Sequence, residues 1–216
     1  RLGLLIVGLA VSTLGTAVTA AERPAPPRTS TVPRDGGWSA PQSVSASPSM
    51  DSEAPALAVT GNGAAHLVWE EDDELRHSYQ VGDAWSEPAR IGGTGDGEQP
   101  ALAAGPSNTL HLVYVNYTDN FNIFYVSWES SGWSIPQNVS RTDSVSDSPA
   151  IAVGSDGSIH VVATETAAKR LYYGETDGVS PWTYVPIAHE YGFAYGEGSS
   201  IDITGTHAVQ LAYEDE

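Results

Sequence analysis

Residues 51–59 read DSEAPALAV, and the pattern comes back as DGEQPALAA at 96–104, SDSPAIAV at 146–153 and EGSSIDI at 197–203. In each copy an acidic residue (Glu53, Glu98, Asp147, Glu197) stands two places before Pro55, Pro100, Pro149 or, in the last, Ser199. The small and β-branched residues that follow suit a strand in a crowded place. The copies lie about 48 residues apart, and three further elements travel with them. WSAP begins at Trp38, WSEP at Trp85, WSIP at Trp133 and WTYVP at Trp182. HLVW, HLVY, HVVA and QLAY begin at His66, His111, His160 and Gln210. LRHSY, IFYVS and LYYGE begin at Leu75, Ile123 and Leu171.

Each element is short, rich in β-branched and aromatic residues, and bounded by Gly, Asn, Asp, Ser or Pro, as strands are. GNG at 61–63 and SDG at 155–157 are tight-turn sequences, and no segment keeps a helical period. Four strands in a repeat of this length predict an all-β fold, a β-propeller of four-stranded antiparallel blades. A two-sheet sandwich is the alternative, but it does not predict the same four elements in the same order every time. Residues 38–216 supply about three and a half blades, which reads as a fragment with a truncated C-terminus. The PALAV-type strand is placed innermost and the WSxP strand outermost, near 85–91 in the first blade. Trp85 and Trp133 are then expected to be largely buried between blades. His66, His111 and His160 recur once per blade and give way to Gln210 in the fourth. They therefore read as hydrogen-bonding residues within each blade rather than metal ligands.

The chain carries 27 acidic and 9 basic residues, a formal charge of −18. That excludes nucleic acid and anionic membrane surfaces as partners, because both need basic patches. With no cysteine there is no disulfide, thiolate metal site or lipid-modified thiol. Residues 1–21 follow Arg1 with an apolar run, LGLLIVGLAVSTLGTAVTA, that ends in small residues. This is the pattern of a secretory signal peptide, although a membrane anchor is the rival reading. Residues 22–37 read as a proline-rich linker, and residues 38–216 as the folded domain. The expectation is a secreted or cell-surface protein with no membrane insertion after signal cleavage.

SYQVGDAW at 78–85 resembles the Asp-box of the sialidase (BNR-repeat) propeller superfamily, S-x-D-x-G-x-x-W, with Gln80 in the Asp place. SWESSGW at 127–133 is a shortened copy with Glu129 in that place, and GETDGVSPW at 174–182 is looser still. The resemblance implies a sialidase-like propeller whose boxes are scaffold turns on the face opposite the active site. It also implies, for an active sialidase, three arginines and a Tyr–Glu pair. The loops of the expected binding face offer Arg141 and Lys169 but no such trio, and no catalytic role is assigned to Tyr195 and Glu197.

Strand alternation puts the blade-to-blade crossovers and the loops between second and third strands on one face. That face gathers carboxylates and two aromatic loops, VNYTDNFN at 115–122 and HEYGFAYGEG at 189–198. Tyr117, Asp119, Asn120, Phe121, Tyr191, Phe193 and Tyr195 are the candidate ligand-binding residues. Aromatic faces beside carboxylates and amides suit a neutral sugar, so at least two of the rings are expected to be exposed. The repeated acids Glu53, Glu98, Asp147 and Glu197 read as scaffold groups that accept backbone N–H, with a Ca²⁺ site as the alternative. No cofactor is otherwise implied. The expected function is non-catalytic recognition of a glycan or extracellular protein. The alternative is a glycosidase of sialidase type whose essential residues lie outside these 216.

Overall fold

A computed structural model of the chain describes residues 41–47, 49–129, 132–166, 170–187, 198–204 and 208–213. The signal and linker segments expected over 1–37 lie outside this set. Three four-stranded antiparallel blades and two strands of a fourth follow one another. Blade 1 holds β1 (Ser52–Val59), β2 (Ala65–Glu71), β3 (Glu74–Val81), β4 (Ala84–Trp85) and β5 (Ala89–Arg90). Blade 2 holds β6 (Gly97–Ala104), β7 (Leu110–Asn116), β8 (Asn122–Glu129), β9 (Gly132–Trp133) and β10 (Gln137–Asn138). Blade 3 holds β11 (Ser146–Val153), β12 (Ile159–Glu165), β13 (Arg170–Thr176) and β14 (Thr183–Ile187). Blade 4 shows β15 (Ser199–Ile203) and β16 (Val209–Tyr213). The first strands β1, β6, β11 and β15 lie side by side, so they are the innermost. A single short turn at Pro106–Asn108 is the only helical-type element among the described residues.

The outermost strand departs from the expected continuous 85–91. In blades 1 and 2 it breaks into two short pieces, both paired with the third strand or its extension. The cause is the SxP after each tryptophan, where Pro88 and Pro136 cannot donate to a ladder. The serine bridges the gap. Ser86 N–H donates to Tyr79 O at 2.8 Å, and its Oγ accepts Tyr79 N–H at 3.1 Å. Ser134 repeats both bonds with Ser127, at 2.8 and 3.0 Å.

The seams between blades form the core. Val68, Leu75 and Ile91 of blade 1 meet Leu112, Tyr114 and Val126 of blade 2, all fully buried. Burial of each aliphatic side chain contributes about 1.5–3 kcal/mol. Val113, Val115, Ile123, Tyr125 and Val139 of blade 2 meet Ile159, Val161 and Ala163 of blade 3 in the same way. Two of the repeated tryptophans pack back onto the preceding blade, Trp133 on His77 and Trp182 on Tyr125, at centroid distances of 5.1 and 5.2 Å. Trp85 and Trp133 are of intermediate burial, largely but not fully enclosed.

The recurring acid–x–Pro has a structural meaning. In β1 the register runs Glu53↔Glu70 and resumes at Ala56↔Val68, so Ala54 and Pro55 bulge out opposite a single residue. β6 and β11 carry the same irregularity after Glu98 and Asp147. The residue after the acid is left-handed in every blade: Ala54 (φ 44°), Gln99 (φ 50°), Ser148 (φ 50°) and Gly198 (φ 85°). A bulge absorbs the extra residue, and the proline sits where no ladder donor is needed.

Candidate functional site at the crossover face

The second strand of each of blades 1 to 3 ends in a buried polar residue at this face: Glu71, Asn116 and Glu165, each less than 8 % exposed. Glu71 Oε2 accepts the hydroxyls of Ser47 and Ser52 and the indole N–H of Trp69, at 2.5, 3.2 and 3.3 Å. Burial works to raise its pKa, but these bonds and the charge of Arg76 prevail and hold it below the ordinary carboxylate range. Asn116 donates to Thr94 O at 3.1 Å, and its Oδ1 accepts the N–H groups of Thr118 and Asp119, both at 3.0 Å. One amide thus fixes both the crossover from blade 1 and the loop carrying Tyr117. Sequence reading missed this position because Glu, Asn and Glu share no obvious signature.

A cavity of about 430 Å³ opens beside blade 1. Asp51, Glu53, Glu70, Asp72, Asp73 and Glu98 line it with the buried Glu71, and among the described residues no basic side chain does. Asp72 and Asp73 (φ 56° and 59°) form the two-residue turn between β2 and β3, a primed hairpin turn that projects both carboxylates outward. Burial and the charge of Glu53 raise Glu70, which a short bond from Gln99 N–H opposes. Burial raises Glu98 as well, aided by Glu70, Asp96, Asp73 and Asp147. The cavity is therefore an electronegative basin in which burial and neighbouring charges disfavour the ionised forms of Glu70 and Glu98.

The repeated acids divide. The Asp147 carboxylate accepts Ser148 N–H at 2.7 Å, as a scaffold group does. Glu53 and Glu98 face the cavity instead, and the bulge N–H of Gln99 goes to Glu70. From there a belt of bonds crosses three blades. Ser148 N–H donates to Gln99 Oε1 at 2.8 Å, and Ser199 Oγ–H to Ser148 O at 3.1 Å. Among the described residues no three His, Asp or Glu side chains are grouped to hold a metal ion. Glu197 lies outside them.

Tyr117, Asp119, Asn120 and Phe121 form one loop between β7 and β8. Asn122 N–H closes the Asp119–Asn122 turn on Asp119 O at 3.1 Å, with Asn120 and Phe121 both left-handed (φ 53° and 56°). A bulky residue in that region is unusual. Phe121 is held there because its ring packs on the seam between blades 2 and 3 and its carbonyl accepts Ser146 N–H at 3.1 Å. Tyr117 lies over it with ring centroids 4.1 Å apart and remains 46 % exposed. Of this pair only Tyr117 is the open ring; Phe121 is its half-buried support, because packing rather than solvent fixes it. Asp119 and Asn120 are exposed, and Asp119 Oδ2 accepts Asn138 Nδ2–H at 3.2 Å. Tyr117 N–H donates to Asp96 O at 2.9 Å, which ties the aromatic loop to the crossover that leads to Glu98. Tyr191, Phe193 and Tyr195 lie outside the described residues.

No protein-family model and no curated protein matches the sequence. Solved structures do match. One is the Aleuria aurantia lectin bound to α-methyl-L-fucoside, with a TM-score of 0.56 at 16 % identity over 75 % of this chain and 54 % of that one. Another is the Penicillium chrysogenum α-L-arabinanase bound to arabinobiose, at 0.57 and 13 % over 76 % and 57 %. A third is a Hadza microbial sialidase, at 0.53 and 11 % over 72 % and 37 %. The chain thus spans about half the length of the lectin and the arabinanase. At these identities the likeness concerns the fold, and the fold is a β-propeller, the architecture of the six-bladed Aleuria lectin.

Proposed function

We propose that the protein is a secreted carbohydrate-recognition propeller that binds a neutral glycan on its crossover face without cleaving it. The observation that carries this reading is the exposed Tyr117 ring, braced on Phe121 and tied through Asp96 to the carboxylate-lined cavity. An aromatic face stacks on the apolar side of a sugar, and the flanking carboxylates accept its hydroxyl protons. The surplus of carboxylates repels anionic sugars, which argues against sialic acid as ligand. Lectins among the propellers of similar fold support the reading. A glycan array probed with the protein tests it: neutral glycans are retained, and Tyr117→Ala lowers the signal. An array with no retained glycan would end it.

Glycoside hydrolysis is the second reading, favoured by Glu70 and Glu98, two carboxyls in one cavity whose pKa values are both raised. A protonated carboxyl beside an ionised one is the pair such a reaction uses. Release of reducing ends from a bound oligosaccharide, abolished by Glu98→Gln, would establish it.

A further inference from the structure

Glu71 and Glu165 occupy the same place in blades 1 and 3. Each lies opposite the serine that opens the innermost strand, in the pairs Ser52↔Glu71 and Ser146↔Glu165. Two residues earlier the second and third strands pair Trp69↔Arg76 in blade 1, Tyr114↔Phe124 in blade 2 and Ala163↔Tyr172 in blade 3. Blade 1 thus sets a guanidinium and an indole N–H beside its glutamate. Both reach Glu71, Arg76 Nε at 3.6 Å and Trp69 Nε1 at 3.3 Å. Blade 2 has no arginine there, and the neutral Asn116 takes the place of the glutamate. Blade 3 lacks the arginine and keeps the glutamate. A buried carboxylate with no compensating partner is strongly unfavourable.

Glu165 is 3 % exposed and Ser146 1 %. Glu165 Oε1, the Ser146 hydroxyl and the Tyr184 hydroxyl are enclosed, and none of the three has a hydrogen-bond partner. They are neighbours nonetheless. Ser146 is the ladder partner of Glu165, and Tyr184, whose pKa burial raises, feels both the Glu165 charge and the Ser146 hydroxyl. Tyr184 stacks on Tyr172 with ring centroids 5.1 Å apart and packs against the cluster that contains Ala163, whose methyl replaces the indole of blade 1. Among the described residues no basic side chain forms an ion pair with Glu165. Arg170, opposite it in the β12–β13 ladder, is exposed and acts on Tyr172 instead. Burial is accordingly the leading influence on Glu165 and raises its pKa, against the neighbouring hydroxyls of Thr142 and Tyr172.

We infer that blade 3 binds a monovalent cation of the size of Na⁺ at its seam with blade 2, between Glu165 Oε1 and the hydroxyl oxygens of Ser146 and Tyr184. The donor set is all oxygen, the set that hard cations take. Oxygens held at about 2.4 Å around one ion stand about 3.4 Å or more apart, too far to hydrogen-bond to one another. A proton on Glu165 Oε1 finds no acceptor, because none of the three oxygens bonds to another. A water bridges such oxygens but leaves the buried charge unbalanced. One carboxylate balances one positive charge, so Ca²⁺ would leave an excess in the seam.

Thermal unfolding of the whole chain at fixed ionic strength tests this, with NaCl exchanged for choline chloride, whose cation is too large for the site. The wild-type protein is expected to melt about 3–6 °C higher in Na⁺ once the ion is about tenfold above its dissociation constant. Two variants remove the need for the ion by different routes. Glu165→Gln takes away the charge, and Tyr172→Arg restores the guanidinium that blade 1 has. Each should melt at one temperature in the two salts, whereas Glu129→Gln, at the exposed end of β8, should keep the wild-type difference. Equal melting of the wild-type protein in the two salts would overturn the inference and leave water as the occupant. A difference that survives in both Glu165→Gln and Tyr172→Arg would overturn it as well, by placing the effect in the acidic cavity of blade 1.

Discussion

His111→Gln separates the acid sensitivity of one blade from that of the whole protein. His111 is 8 % exposed, and burial lowers its pKa from 6.5 to about 4. The unfolded chain therefore takes up a proton before the folded one does, and stability falls as pH falls from 6.5 toward 4. For a histidine displaced by that amount the loss between pH 7 and pH 5 is about 2 kcal/mol. Glutamine does not titrate, fits between Thr109 and Tyr125 as both donor and acceptor, and stands at the matching position of the fourth blade as Gln210. Its poorer packing costs about 1 kcal/mol at pH 7. The order of stabilities should therefore cross: wild type is the more stable at pH 7, and the variant by about 1 kcal/mol at pH 5. Urea unfolding at the two pH values measures this. The same difference at both, within about 0.5 kcal/mol, would refute a neutral buried His111.

The other perturbations act on the scaffold. Ala54 occupies a left-handed bulge position where blade 4 uses Gly198, so Ala54→Gly should stabilise by about 0.5–1 kcal/mol in urea unfolding. Ser134→Ala removes the acceptor for Ser127 N–H and should cost about 1–2 kcal/mol, with the rest of the sheet intact by circular dichroism. His77 is lowered to about 4 by burial and by the charge of His66, so His77→Gln should blunt acid unfolding below pH 6.5 as His111→Gln does.

Much of the architecture was legible because a propeller repeats. Four elements at one spacing specify four strands, and the packing of Trp133 and Trp182 onto preceding blades follows from their place in the outermost strand. The in-blade bonding of His111 and His160 was legible for the same reason. The bulge was not. Ala54, Gln99 and Ser148 are ordinary residues that only the ladder forces into a left-handed turn, and Gly198 alone hints at it. The fate of the repeated acids was likewise hidden. Whether Glu98 meets a donor or a cavity depends on Gln99 reaching Glu70 across a blade boundary, a contact between residues 29 apart in the chain. At the aromatic loop, composition indicated rings but not which one packing would claim. Phe121 went to the seam and Tyr117 to solvent.

The central claim is that sugar binds at the crossover face. Amide chemical-shift mapping with the best-retained neutral glycan tests this most directly. The account predicts shifts at Tyr117–Phe121 and along the cavity at Glu70–Asp73 and Glu98, with the turns at 61–63, 105–108 and 154–157 unmoved. Tyr117→Ala should weaken binding by about 1–2 kcal/mol, roughly five- to thirtyfold. Shifts confined to those opposite turns, or full affinity in Tyr117→Ala, would contradict it.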